Sequence, residues 1–233
     1  MNTNTIKAII KKELRDTLHN RSVLIQFILF PIITLIMVSV VPMEGNLQPE
    51  YFATVFGTML ATFVPISSAS GIIAEEKENN TLRVLVMSSV KPLEYLLSVG
   101  IYILFFTSLG IASIAFIGGL SGWNLIYFIS VLMIGTTCSL LLGCSIGMSA
   151  KSQANATGIM LPFAALLSVV PTLAMYNETI GEVSSFLYSQ QVNALLTNYS
   201  ISNFTWNAII IILLNIIVLV TVFVFSYKNG KKI

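Results

Sequence analysis

The sequence predicts an all-α membrane protein: six transmembrane helices, an N-terminal interfacial amphipathic helix and a short helical outer segment before the last span. Three observations carry that prediction. Of 233 residues, 55% are apolar and only 9% charged, with a mean hydropathy of +0.86, whereas an ordinary soluble domain carries roughly 25% charged residues. The apolar residues gather in runs of about 20, the length of helix that crosses a hydrocarbon layer. The twelve Lys and Arg all fall between or outside those runs, on one alternating side of them.

The runs place spans near 22–41, 51–73, 95–118, 124–148, 156–176 and 205–227 of a single transmembrane domain, 1–233. Lys7, Lys11, Lys12, Arg15 and Arg21 precede the first. Lys77, Arg83 and Lys91 lie between the second and third, Lys151 between the fourth and fifth, and Lys228, Lys231 and Lys232 after the sixth. The opposite side holds Glu44, Glu50, Glu178 and Glu182 and no basic residue. Positive charge stays on the cytoplasmic side, so a multi-pass cell-membrane protein with both termini cytoplasmic is expected. Residues 1–21 lack the short basic region, apolar core and small-residue cleavage site of a secretory signal, and no cleaved signal is expected.

Within residues 1–21, Ile6, Ile10, Leu14 and Leu18 recur every four residues, with Lys7, Lys11, Lys12 and Arg15 on other faces. That pattern suits a helix lying in the cytoplasmic headgroup layer, the alternative being a solvated basic segment that only sets topology. The fourth span carries Gly135, Ser139, Gly143 and Gly147 at four-residue spacing, a stripe that lets another helix approach closely. Ala53, Gly57 and Ala61 make a weaker stripe in the second span. Either serves packing within one protomer or between two. Pro65, Pro162 and Pro171 fall inside spans and predict bends. Residues 177–204 show helical spacing at Ile180, Val183 and Leu187 and again at Val192, Leu195, Leu196 and Tyr199. Short amphipathic helices resting on or dipping into the outer surface fit this pattern, as does an irregular loop.

The chemistry open to the chain is narrow. No Asp, Glu, Lys, Arg or His falls within the predicted spans, which argues against a proton relay or an ion-coupled carrier. The single histidine, His19, rules out histidine-cluster metal sites. Cys138 and Cys144 stand six apart in one span and read as small packing residues. Glu75-Glu76 begins no membrane-protease motif, since Arg83 is too distant and no later histidine follows. No Gly-x-x-x-x-Gly-Lys-[Ser/Thr] loop occurs, so ATP hydrolysis by that route belongs elsewhere. No catalytic or metal-ligating set can be assembled, and the small net charge of +2 is a topology signal with no nucleic-acid partner implied.

One charged constellation remains, in the inner loop 74–94. Glu75, Glu76, Lys77 and Glu78 end the second span; Asn80 or Thr81 caps a short helix whose Leu82, Leu85 and Val86 share a face; Lys91-Pro92 follows. An apolar face on a helix too short to span suits docking into a protein groove, and charges that merely anchor two span ends are the alternative.

This stretch resembles the type-2 ABC exporter membrane subunits, in which an acidic-basic "EKE" cluster precedes "GTLE-x-LL" and a proline turn. Here the residues are Glu76-Lys77-Glu78, Asn80-Thr81-Leu82-Arg83-Val84-Leu85 and Val90-Lys91-Pro92, with Asn80 for the usual Gly and Arg83 for the usual Glu. The resemblance extends over nearly the whole chain: an elbow helix at 1–21, six spans, the inner loop, and a helical outer segment at 177–204. It implies an exporter permease without its own ATPase site, paired with a second permease copy or paralogue and with a dimer of separate ABC ATPase subunits that bind ATP and Mg. It further implies that Glu75, Glu76, Lys77 and Glu78 relay conformational change, while Thr81, Leu82 and Leu85 dock on the ATPase. The lack of charge within the spans suggests an amphipathic or apolar cargo such as a peptide, drug or lipid, and the resemblance adds that short members of the family often handle antimicrobial peptides or export toxic compounds. An ATP-independent six-span carrier or channel and a non-transporting immunity or sensor protein are the other classes the sequence admits.

Overall fold

The computed structural model describes residues 3–19, 21–42, 48–81, 92–197 and 206–230, and each predicted apolar run in it is a helix. In chain order these are α1 (Thr3–His19), α2 (Arg21–Val40), α3 (Pro49–Glu78), α4 (Pro92–Ile117), α5 (Gly122–Ser149), α6 (Gln153–Ala174), α7 (Glu178–Ser184), α8 (Tyr188–Thr197) and α9 (Trp206–Gly230). The regular structure of the described residues is all helical. Five stretches, Pro49–Glu78, Glu94–Ile117, Gly122–Ser149, Gln153–Ala174 and Trp206–Tyr227, are long and apolar enough to cross a membrane, and Leu24–Val40 is a shorter apolar helix.

The core is built around α3. Its 30 residues make a rod of about 45 Å, longer than a hydrocarbon layer of roughly 30 Å. Pro49 opens the helix at a position where its missing N–H costs nothing. No breaker separates Ile73 from Glu78, and Ala, Glu and Lys are strong helix formers, so the rod continues through the four charged residues. The inner segment expected as a loop from residue 74 therefore begins as helix, and α4 starts at Pro92, ahead of the expected 95.

Small residues let α5 lie along α3. A Cβ on Gly143 would stand 2.8 Å from the Ile66 carbonyl oxygen, one on Gly147 2.9 Å from Ile73 Cβ, and one on Gly57 2.9 Å from both Leu132 and Phe128. Both stripes thus face inward within the protomer. A proline not singled out from the sequence, Pro31 in α2, cannot donate to the Phe27 carbonyl. Close by, Gly110 of α4 approaches, its missing Cβ 3.3 Å from that oxygen.

At the end of the bundle where α3 begins, α7 and α8 form a hairpin that descends between the longer helices. Asn177 caps α7 by accepting from Ile180 N at 3.3 Å. Along α8, the Tyr188 hydroxyl meets Ser139 Oγ at 2.9 Å, Val192 stands against Gly135, and the Leu195 carbonyl accepts from the Tyr127 hydroxyl at 3.0 Å. Rising numbers on α8 meet falling numbers on α5, so the two run antiparallel. Gly135 lies 13 residues into α5, placing Val192 about 20 Å along that helix from Gly122. Asn193 completes the seat: it donates to the Pro171 carbonyl at 3.3 Å and accepts from Thr58 at 3.5 Å. Of the two readings the sequence allows for this segment, its described part, 177–197, is the helical and dipping one; residues 198–204 lie outside the described residues.

Candidate coupling site

Three consecutive residues at the end of α3 reach three different helices. Glu76 is 6% exposed and forms an ion pair with Lys12 of α1. Lys77 donates to the carbonyl oxygens of Met148 at 2.8 Å and Ala150 at 2.9 Å, where α5 ends. Glu78 accepts from Gln153 N at 2.7 Å, at the first turn of α6. The two surface contacts follow the helix dipole: a cation closes the carbonyl end of α5 and an anion the amide end of α6. Room for both comes from Ala74, Ala150 and Ala156, which bury one another at the junction. Ser152 caps α6 by accepting from Asn155 N at 3.2 Å.

Glu75 is exposed and turns away from these ties. Asn79 closes the helix, its N–H donating to Glu75 O at 2.9 Å. Asn80 follows with φ +57, the left-handed conformation that glycine adopts freely and asparagine tolerates better than other residues. Asn80, which stands in place of the usual Gly, thus adopts a conformation open to glycine. Thr81 is half-buried, and Leu82 and Leu85 lie outside the described residues.

The partner of Glu76 was not legible from the cluster alone. On α1, Ile9 is buried with Ile73, Tyr95, Val99 and Met148, drawn from α3, α4 and α5, while Ile6, Ile10 and Leu14 are only half-buried. The buried face is rotated from the expected Ile6–Ile10–Leu14–Leu18 stripe and includes Glu13, 5% exposed. A carboxylate four residues beyond Ile9 on that face was the available signal. Lys12 Nζ also lies 3.2 Å from Glu13 and 4.0 Å from Asp16. Burial lowers the Lys12 pKa, but the Glu76 hydrogen bond and the charges of Glu13 and Glu76 outweigh it, and Lys12 titrates above its ordinary 10.5. Burial raises Glu13 above its ordinary 4.5, and Lys12 only partly offsets that. Charge is thus absent from the middle of the spans yet buried at their end, where Glu94 of α4 is also inaccessible.

The stripe Gly135, Ser139, Gly143 and Gly147 sits apart from this site, spread along α5 from its contacts with the α7–α8 hairpin to those with α3. What the charged cluster can do is mechanical. It ties the middle of α1, the end of α5 and the start of α6 to one rod, so displacement of that rod's end is felt by three helices. No curated protein matches the chain. A family model described as ABC-2 type transporter matches residues 4–170, a range that takes in α1 to α5, the charged end of α3 and most of α6, and the chain belongs to that family.

Proposed function

We propose that the chain is the membrane-spanning permease subunit of an ATP-driven exporter, with α2 as the first of six spans and both termini in the cytoplasm. A separate pair of ABC ATPase subunits binds ATP and Mg and seats residues Thr81, Leu82 and Leu85. A second permease copy or a paralogue completes the pathway. Nucleotide binds the two states of the ATPases with different affinity, and that difference is what shifts the permease between its arrangements. Glu75, Glu76, Lys77 and Glu78 pass the shift on, and the cargo is an amphipathic or apolar molecule such as a peptide, drug or lipid.

The observation that carries this reading is the triple attachment of Glu76, Lys77 and Glu78 to α1, α5 and α6. A segment that only anchored two span ends has no need of three cross-helix ties. Family membership supports association with an ABC ATPase in general.

The test replaces Glu76→Gln and Leu82→Ala separately and follows co-purification of the ATPase and its permease-stimulated hydrolysis. Leu82→Ala is expected to lose the ATPase, and Glu76→Gln to keep it while losing most of the stimulation. Full retention of both activities by both variants overturns the assignment, as does flux through vesicles that contain this chain alone.

A further inference from the structure

The bundle covers only one side of α1, the side of Ile9 and Glu13. At about 100° per residue, Ile6, Ile10 and Leu14 line the next side round the helix, and each is only half-buried. Beyond them come Lys7, Lys11 and Arg15, all exposed, in a row opposite Ile9 and Glu13. Lys12 and Asp16 make the fourth side, from which Lys12 reaches Glu76. An apolar side, a polar side across from it, and a row of cations along the edge turned away from the protein make the pattern of a helix at a membrane surface.

The level of α1 in the bundle agrees with that pattern. Ile9 is buried with Ile73, Tyr95 and Val99, and Lys12 pairs with Glu76. Helix α1 therefore lies where α3 passes from Ile72, Ile73 and Ala74 into the charged run Glu75 to Glu78, the passage at which a span leaves hydrocarbon for headgroups. Helix α2 leaves the C-terminal end of α1 and presents Ile25, Ile28 and Leu29 outward in its first turns, so apolar surface of the kind lipid covers begins beside α1.

We propose that the row Lys7, Lys11 and Arg15 binds the phosphates of anionic phospholipids, with Ile6, Ile10 and Leu14 set into the acyl boundary beside them. Acid is scarce on that side: of the two acids of α1, Glu13 is buried and Asp16 lies about 100° round the helix from Arg15. A zwitterionic headgroup gives such a row little, because its amine offsets its phosphate, whereas a headgroup of net negative charge attracts it. Through Lys12 on Glu76, lipid held by α1 bears on the end of α3. The contact needs no ATPase, so it goes beyond the exporter reading and rests only on the membrane location of the bundle.

The test compares thermal midpoints of the full chain in nanodiscs of phosphatidylcholine alone and of phosphatidylcholine mixed with phosphatidylglycerol. The anionic lipid is expected to raise the wild-type midpoint by a few degrees, and added salt to shrink that rise. Lys7→Gln together with Lys11→Gln is expected to remove more than half of the rise and to leave the midpoint in phosphatidylcholine unchanged, since both side chains are exposed. Lys151→Gln, which neutralises an exposed cation between α5 and α6, is expected to keep nearly all of it. Equal wild-type midpoints in the two lipids overturn the proposal, as does a double variant that loses no more than Lys151→Gln. Free glycerol phosphate added to phosphatidylcholine discs is expected to change nothing; a rise equal to that from phosphatidylglycerol marks a soluble-phosphate site and overturns the lipid assignment. A double variant that keeps the rise but no longer co-purifies with an ATPase places the row against a protein and overturns it too. Failure of the exporter reading leaves the lipid effect unchanged, because no ATPase is present in the discs.

Discussion

Asn80 shows how one dihedral decides what a position accepts. At φ +57 a residue with a Cβ and no local hydrogen-bonding side chain costs roughly 1–2 kcal/mol. Asn80→Ala is therefore expected to destabilise the end of α3 by about that amount and Asn80→Gly to be close to neutral, as thermal denaturation in detergent will read. Glu13 makes a prediction in pH. Its folded pKa lies above 4.5, so the stability it contributes is fully present below that value and fades as pH rises through the folded one. Acidification through that window strengthens the attachment of α1, and Glu13→Gln removes that part of the profile. Lys12, raised above 10.5, loses its contribution only on the alkaline side of that value, and Lys12→Met removes the alkaline loss.

Among elements, the contact of α3 with α5 tolerates least. Gly143→Ala sets a Cβ against Ile66 backbone at 2.8 Å, which forces the helices apart, whereas Gly135→Ala meets only Val192 side-chain atoms at 3.3 Å. The first is expected to cost about 1–3 kcal/mol and the second distinctly less, measured by denaturation in the same detergent. On the hairpin, Asn193→Ala strands the buried Pro171 carbonyl and is expected to cost about 1–3 kcal/mol, while Tyr188→Phe removes one net hydrogen bond worth about 0.5–1.5 kcal/mol. Ser139 keeps a bond to the Gly135 carbonyl at 2.9 Å in that variant. Limited proteolysis between α7 and α8 will report the same order. The long helices were legible because each is an apolar run of span length. The continuation of α3 through Glu78 was less so, since charge and chain reversal are easily confused in a linear string. The seat of α8 was not legible, because Ser139 and Tyr127 reach it from 49 and 68 residues earlier in the chain, and nothing local in either segment names the other.

For the whole molecule, the apolar side chains that face outward on α2, α4, α6 and α9, among them Ile32, Phe105, Leu166 and Ile217, are what a lipid-embedded bundle presents, since lipid gives no incentive to hide them. The charged cluster ties the helices at one end of the bundle, and the α7–α8 hairpin carries polar ties from the other end into its interior. The charged half of the candidate site could be read from the sequence because Glu75 to Glu78 interrupt an otherwise apolar chain. Its other half, Lys12 with Glu13, could not: 64 residues separate Lys12 from Glu76, and the α1 pattern pointed to a different face. The central claim is that a cytoplasmic ATPase grips the segment that follows α3. The most direct measurement places a photo-crosslinking side chain at Thr81 in native membranes and identifies what it captures with and without ATP and Mg. The account predicts capture of an ABC ATPase subunit from the cytoplasmic side, with a yield that changes with nucleotide. A Thr81 that captures no such subunit, or that reacts with an impermeant reagent from outside the cell, contradicts it.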